Sequence, residues 1–382
     1  METVKDDFSV TCSVQHGAIV AEISYPAEDA STWYACYLLD EKKNTIQKQM
    51  YQKEPVFAFS VQPGVYYVRA FVSTRPAKGQ DPVKLTQYSK SVTVYPTVNL
   101  DYREVEQTDF HQEQLTIYAI RWSGVTFEFA IRCPAGAKNA VVLGSGDVGS
   151  QPSRPVFSRI SWAGKLPGCA IYYFDPTVYV GKTTLCWYYG TNQRWYLENI
   201  AVIVKKILDN LGISTADTLF FGSSGGGFSS ILLGSMLHGR VLAINPQMIV
   251  ENFYPSFIVL LKKAALAPGE ELLSERIDAI RLIQREDFFP PILIWQNSMA
   301  EHDLKTQTIP FIEELGASGV DCGGNLRIQF YCLEGGHRAM PPEADCLRVI
   351  SEELARPEPS LSDKPGSYPP GSLLARLEAG EF

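Results

Sequence analysis

A chain of 382 residues, 45% hydrophobic and 20% charged, has the composition of a folded globular protein and the length for two domains, which excludes disordered and fibrous classes. Its formal net charge is -8, from 34 Lys and Arg against 42 Asp and Glu, and no basic run interrupts it. Nucleic acid is therefore not an expected partner.

In chain order, residues 1–97 read as short strands: FSVTCSV, GAIVAEISY, STWYACYLLD, FAFSV, GVYYVRAFVST and SKSVTVYP. Turn residues separate them at the spacing of an all-β sandwich. Along Gly64–Phe71 apolar side chains alternate between two faces, as in a strand lying between two layers. This pattern resembles an immunoglobulin or fibronectin type III domain. Residues 98–114 are polar and read as a connection.

From 115 to 356 strands alternate with amphipathic helices, which predicts a mostly parallel sheet covered on both faces. LTIYAIRW and VTFEFAIRC, joined by Ser123-Gly124, read as an opening hairpin. AVVLGSG, CAIYYFD, TLFFGSS, RVLAINP, PILIWQN and RIQFYCL supply six more strands, eight in all. Helices are expected at 195–211, 226–237, 255–266, 274–285, 306–318 and 342–356. Residues 357–382 form a Pro/Ser/Gly-rich tail, expected to be mobile or to pack on a neighbour. Either the tail or the sandwich is a candidate surface for self-association.

No apolar stretch approaches the roughly 20 residues needed to span a bilayer. The N-terminus lacks a basic-then-apolar leader, and the eight cysteines include no C-x-x-C pair. A cytoplasmic location is expected, with no metal and no cofactor.

The most specific motif is Gly222-Ser223-Ser224-Gly225-Gly226, G-x-S-x-G between an apolar strand and an apolar helix. A nucleophile held in a strained strand-to-helix turn needs tiny neighbours two positions either side. Gly222 and Gly226 satisfy that, which makes Ser224 the nucleophile and Ser223 structural. The following helix start offers the Gly225 N–H to an oxyanion. Ser145 and Gly146, in the glycine-rich turn after the third strand, are candidates for the second donor.

After the last strand comes Gly335-Gly336-His337, where a general base is expected. His16, His111 and His238 lie elsewhere and read as structural, and His302 as a solvated loop residue. The acid should follow PILIWQN, and both Glu301 and Asp303 remain candidates. The aromatic loop at 175–196 places Trp187, Tyr188 and Tyr189 either as a platform for a sugar or aryl group or as core. Residues 247–290 are long enough to form a small cap.

Together these residues resemble the α/β-hydrolase superfamily over 115–356. With GSSGGG, INPQ, DPT, WYYGT and the N-terminal sandwich, they look like bacterial hydrolase-like proteins of capsule and surface-glycan biosynthesis. The resemblance implies a carbohydrate ester as substrate, with hydrolysis or O-acyl transfer through a Ser-His-Asp/Glu triad. The alternative is a non-catalytic glycan-binding or scaffolding protein on the same fold.

Overall fold

The computed structural model describes residues 8–15, 17–26, 31–74, 83–149, 154–181, 183–357 and 368–382. They divide into two compact units with the break between Pro96 and Thr97.

The first unit is all β. Strands β1 (Ser9–Gln15), β2 (Ala18–Ser24) and β5 (Val56–Ser60) form one antiparallel sheet. The second contains β4 (Thr45–Gln52), β3 (Thr32–Leu39), β6 (Gly64–Thr74) and β7 (Val83–Tyr88), with β8 (Val92–Val94) also pairing with β6. Ile19, Phe57 and Phe59 of the first sheet join Tyr34, Leu38, Val68 and Val72 of the second in one apolar core. The period-two burial of β2 and β5 is what places those side chains on one face.

The second unit is built on a sheet of nine strands. They are β9 (Thr97–Asp101), β10 (Thr116–Trp122), β11 (Val125–Arg132), β12 (Ala140–Gly144), β13 (Cys169–Tyr173), β14 (Thr218–Ser223), β15 (Arg240–Ile244), β16 (Ile292–Asn297) and β17 (Leu326–Tyr331). Their spatial order is β17-β16-β15-β14-β12-β13-β11-β10-β9. Only the β10–β11 and β11–β13 pairings are antiparallel. Counted from β10, the order is 1-2-4-3-5-6-7-8, that of the α/β-hydrolase sheet. The buried strands β12, β13 and β15 are apolar nearly throughout because helices cover both their faces. Ser123 and Gly124 both adopt positive φ in the β10–β11 turn, which twists that hairpin correctly.

Three expectations need correction. The sheet has nine strands and not eight, because part of the expected connection forms β9, parallel to β10. Only Leu100 of β9 is buried, so this edge strand leaves little apolar alternation to read. The helix expected at 274–285 starts at Ala279, where the Asp278 carboxylate caps the N–H groups of Ile280 and Arg281. The tail, in its described part, packs on its own unit. Helix Leu373–Glu378 lies on helix Gly225–Leu237, with Leu373 and Leu374 buried. The Leu373 N–H donates to the Glu286 carboxylate at 2.8 Å, and Arg376 pairs with Glu198. Residues 358–367 of the tail lie outside the described residues.

No helix among the described residues is long and apolar enough to cross a membrane. His238 ends the helix Gly225–Leu237, stacks on Phe288, and is driven by burial from 6.5 to a pKa of about 4. Unfolded, it binds a proton as the pH falls through its ordinary value, whereas folded it resists until much lower. Its contribution to stability is therefore full above pH 6.5 and erodes as the pH falls toward 4, by at most roughly 1.4 kcal/mol per unit. The pH profile of urea unfolding should flatten over that window in His238→Phe, which keeps the stacked ring. Leu373→Ala should cost about 2–5 kcal/mol in the same assay, as for other fully buried leucines.

Candidate active site

The turn between β14 and helix Gly225–Leu237 carries Ser224 at φ 57°, ψ -127°, a backbone region that L-residues rarely occupy. Neighbouring backbone holds it there. The Ser224 N–H donates to the Ile244 carbonyl at 3.1 Å, and the Ser224 carbonyl accepts from Gln247 and Phe228. A Cβ on Gly222 would collide with the Gly226 carbonyl, and one on Gly226 with the Gly144 carbonyl. Backbone cannot swing aside as a flexible side chain can, so both positions exclude every larger residue.

Two further strand ends bring the partners. His337 Nε2 lies 2.9 Å from Ser224 Oγ, and His337 Nδ1 lies 2.6 Å from Asp303 Oδ2. Asp303 is only 2% exposed. Of the two acids left open by the sequence, Asp303 reaches the imidazole. Glu301 does not: its side chain is 78% exposed and paired with Lys305. A carboxylate at Nδ1 fixes the tautomer that leaves Nε2 free to accept the serine proton.

The base loop is itself pinned by two buried asparagines that the sequence reading did not single out. Asn245 donates to the His337 and Ala339 carbonyls at 3.1 and 3.3 Å and to the Tyr331 hydroxyl. Asn297 donates to the Leu333 and Gly336 carbonyls and accepts from the Leu333 and Met299 N–H groups. Asn245 Oδ1 in turn accepts from the Asn297 N–H at 2.7 Å, tying the ends of β15 and β16 together.

The aromatic loop does something other than stack on substrate. Trp187, Tyr188 and Tyr189 are at most 1% exposed, so they cannot offer a platform. Trp187 and Tyr188 have positive φ, of 50° and 60°, held by the Asp175 carboxylate accepting from the Tyr188 N–H at 2.7 Å. From that bend two supports extend. Trp187 Nε1–H donates to Gln247 Oε1 at 2.5 Å, and Gln247 Nε2 donates to Ser224 Oγ at 3.0 Å. An indole nitrogen can only donate, so the amide must face Ser224 with its NH2. Donors and acceptors then run in one direction from Trp187 through Gln247, Ser224 and His337 to Asp303. Gln247 was missed as a site residue; the quoted INPQ contained it, but nothing in spacing alone gives it a role.

The second support corrects Ser145. Its N–H donates to the Tyr188 hydroxyl at 2.8 Å and is not free for an oxyanion, while its own carbonyl accepts from that hydroxyl. Gly146 is placed better: a Cβ there would be 3.4 Å from Ser224 Cβ and 3.5 Å from Gly225 N. Neither the Gly146 nor the Gly225 N–H donates to another group among the described residues.

Of the other histidines, His302 is not a solvated residue. It stacks on Tyr254, and its Nε2 is buried without a hydrogen-bond partner. His111 and His238 lie away from the triad, and His16 lies outside the described residues. The segment expected as a cap contributes Phe253, whose ring neighbours both Trp187 and His337.

No protein-family model matches the sequence, and no curated protein matches it. Solved structures with some likeness include the capsule O-acetyltransferase of Neisseria meningitidis serogroup A, at 16% identity and a TM-score of 0.43 over 61% of this chain and 93% of that one. An S-formylglutathione hydrolase from Agrobacterium tumefaciens has 15% identity and a TM-score of 0.43, over 65% and 93%. The glycosylation-associated Gap123 complex from Streptococcus agalactiae has 11% identity and a TM-score of 0.42, over 92% and 70%. The strand order and the nucleophile turn match the α/β-hydrolase fold independently of these likenesses.

Gly222→Ala should lower stability by 3 kcal/mol or more, on the order of other severe backbone clashes. Urea unfolding with Gly164→Ala as a surface comparison would check it, since Gly164 has no positive φ and a Cβ there meets nothing within 4 Å.

Proposed function

We propose that this chain catalyses ester hydrolysis or O-acyl transfer through an acyl-enzyme on Ser224. The observation that carries the reading is the continuous hydrogen-bonded series Asp303, His337, Ser224, at 2.6 and 2.9 Å, on the strand ends of an α/β-hydrolase sheet. Ser224 Oγ attacks the acyl carbonyl carbon as its proton passes to His337 Nε2. Negative charge on the carbonyl oxygen is met by the Gly225 and Gly146 N–H groups. The C–O bond to the alcohol breaks, and His337 returns the proton to the leaving oxygen. Water or an acceptor hydroxyl then attacks the acyl-enzyme, losing its proton to His337, and Ser224 Oγ recovers it. Asp303 stabilises the imidazolium in both steps.

A carbohydrate O-acyl ester is the substrate class implied by the sequence resemblance, although the buried Trp187, Tyr188 and Tyr189 do not supply a stacking platform for it. Acyl release measured with and without sugar acceptors separates transfer from hydrolysis.

A serine-directed fluorophosphonate should label the wild type, fail on Ser224→Ala and label His337→Ala far more slowly. A folded wild type that resists the probe would sink the catalytic reading and leave a scaffold on this fold. Gln247→Leu, which keeps the side chain's size and loses its donor, should lower kcat about 10- to 100-fold, in the range seen for single donors at a reacting centre. Steady-state kinetics on an aryl acetate would check this, with circular dichroism to verify folding.

A further inference from the structure

We propose that Arg159 forms an anion subsite beside Ser224, where its guanidinium takes a carboxylate or phosphate carried by the ester substrate; the proposal rests on the hydrolase or acyltransferase reading above.

Three ties put Arg159 at the reacting centre. Its Nη2 donates to the Oγ of Ser223, the residue before the nucleophile, at 2.8 Å. The same nitrogen lies against Met340, three residues after His337. Ser145, in the turn that also carries Gly146, holds the segment just before Arg159: its Oγ donates to the Val156 carbonyl and accepts from the Ser158 N–H, both at 3.0 Å. The guanidinium therefore sits between the nucleophile turn and the base loop, on a segment anchored to the oxyanion loop.

What it lacks is a counter-charge. Arg159 forms no ion pair among the described residues, in a chain with an excess of acidic groups. Its ionisable neighbours are the Tyr172 phenol and the Cys346 thiol, which burial pushes up to about 11; neither is a carboxylate, and burial pulls the pKa of Arg159 itself down. Its faces lie over the rings of Trp162 and Phe221, which remove water without supplying a carboxylate. These two cation–π contacts offset part of the cost of burying the cation, and an anion would complete it. Nε and Nη1 donate to nothing among the described residues, and although they share no edge of the planar fork, the Nη1 amino group can meet an anion oxygen on its own. Arg159 also has φ 62°, an uncommon conformation for a bulky residue, and such strain concentrates at ligand sites. The Tyr172 hydroxyl fixes that conformation by donating to the Arg159 carbonyl at 3.1 Å.

The test compares three acetyl esters on one sugar ring: glucose, glucuronate and glucose 6-phosphate, acetylated at the same hydroxyl. The wild type should favour the glucuronate or the phosphate ester over the neutral one by 10-fold or more in kcat/KM, and the favoured arm identifies the anion. Arg159→Gln should collapse that ratio toward 1, while Arg159→Lys should retain part of it. A ratio cancels any general loss of active protein. Arg338→Gln, which removes the exposed cation beside His337, should change the ratio less. A wild-type ratio near 1, a ratio unchanged in Arg159→Gln, or an effect confined to Arg338→Gln would overturn the proposal.

Binding is read separately in Ser224→Ala, where glucuronate or inorganic phosphate should raise Tm saturably and lose that effect when Arg159→Gln is added. A shift that survives Arg159→Gln, or none with either anion, counts against the subsite. A wild type that cleaves none of the esters while the Arg159-dependent shift persists would sink the hydrolase reading and leave the anion site standing.

Discussion

Everything at the candidate site depends on the backbone of Ser224 being held at φ 57°. That conformation is unfavourable by itself, so the surroundings must over-determine it. They do so through close backbone contact at Gly222 and Gly226 and through main-chain hydrogen bonds to Ile244, Gln247 and Phe228. The result is a hydroxyl that projects from the carboxyl edge of the sheet beside N–H groups with no other work. Strand order then decides the rest, because β16 and β17 end close enough to deliver Asp303 and His337.

The same logic recurs one layer out. Trp187 and Tyr188 also occupy positive φ, and each directs its polar atom to a different part of the centre. Trp187 orients Gln247 against Ser224, while Tyr188 clamps both backbone groups of Ser145 and so sets the start of the Gly146 turn. Asn245 and Asn297 do the corresponding job for the base loop. Buried polar groups are costly unless paired, and here nearly every pairing runs toward a residue that the reaction would use.

Legibility in the sequence followed how local each signal was. The central strands of the second unit were readable because burial on both faces demands continuous apolar runs, and G-x-S-x-G was readable because sterics admit only glycine at two of its positions. Asp303 and Glu301 could not be separated, since a two-residue step, about 200° of helix, sends them to opposite environments and the sequence does not record the phase. Trp187, Tyr188 and Tyr189 have the composition of a binding platform and also of a core; only their burial decides. Gln247 and Arg159 owe their significance to partners 60 and 64 residues away, which no local pattern encodes. The strand Thr97–Asp101 escaped because an edge position buries a single side chain.

The C-terminal helix has a consequence for the nucleophile turn. Leu373 and Leu374 complete the covering of the helix that begins beside Ser224, although they come from a segment far along the chain. Peeling that segment away would bare an apolar face of the helix and loosen the element from which the strained turn starts.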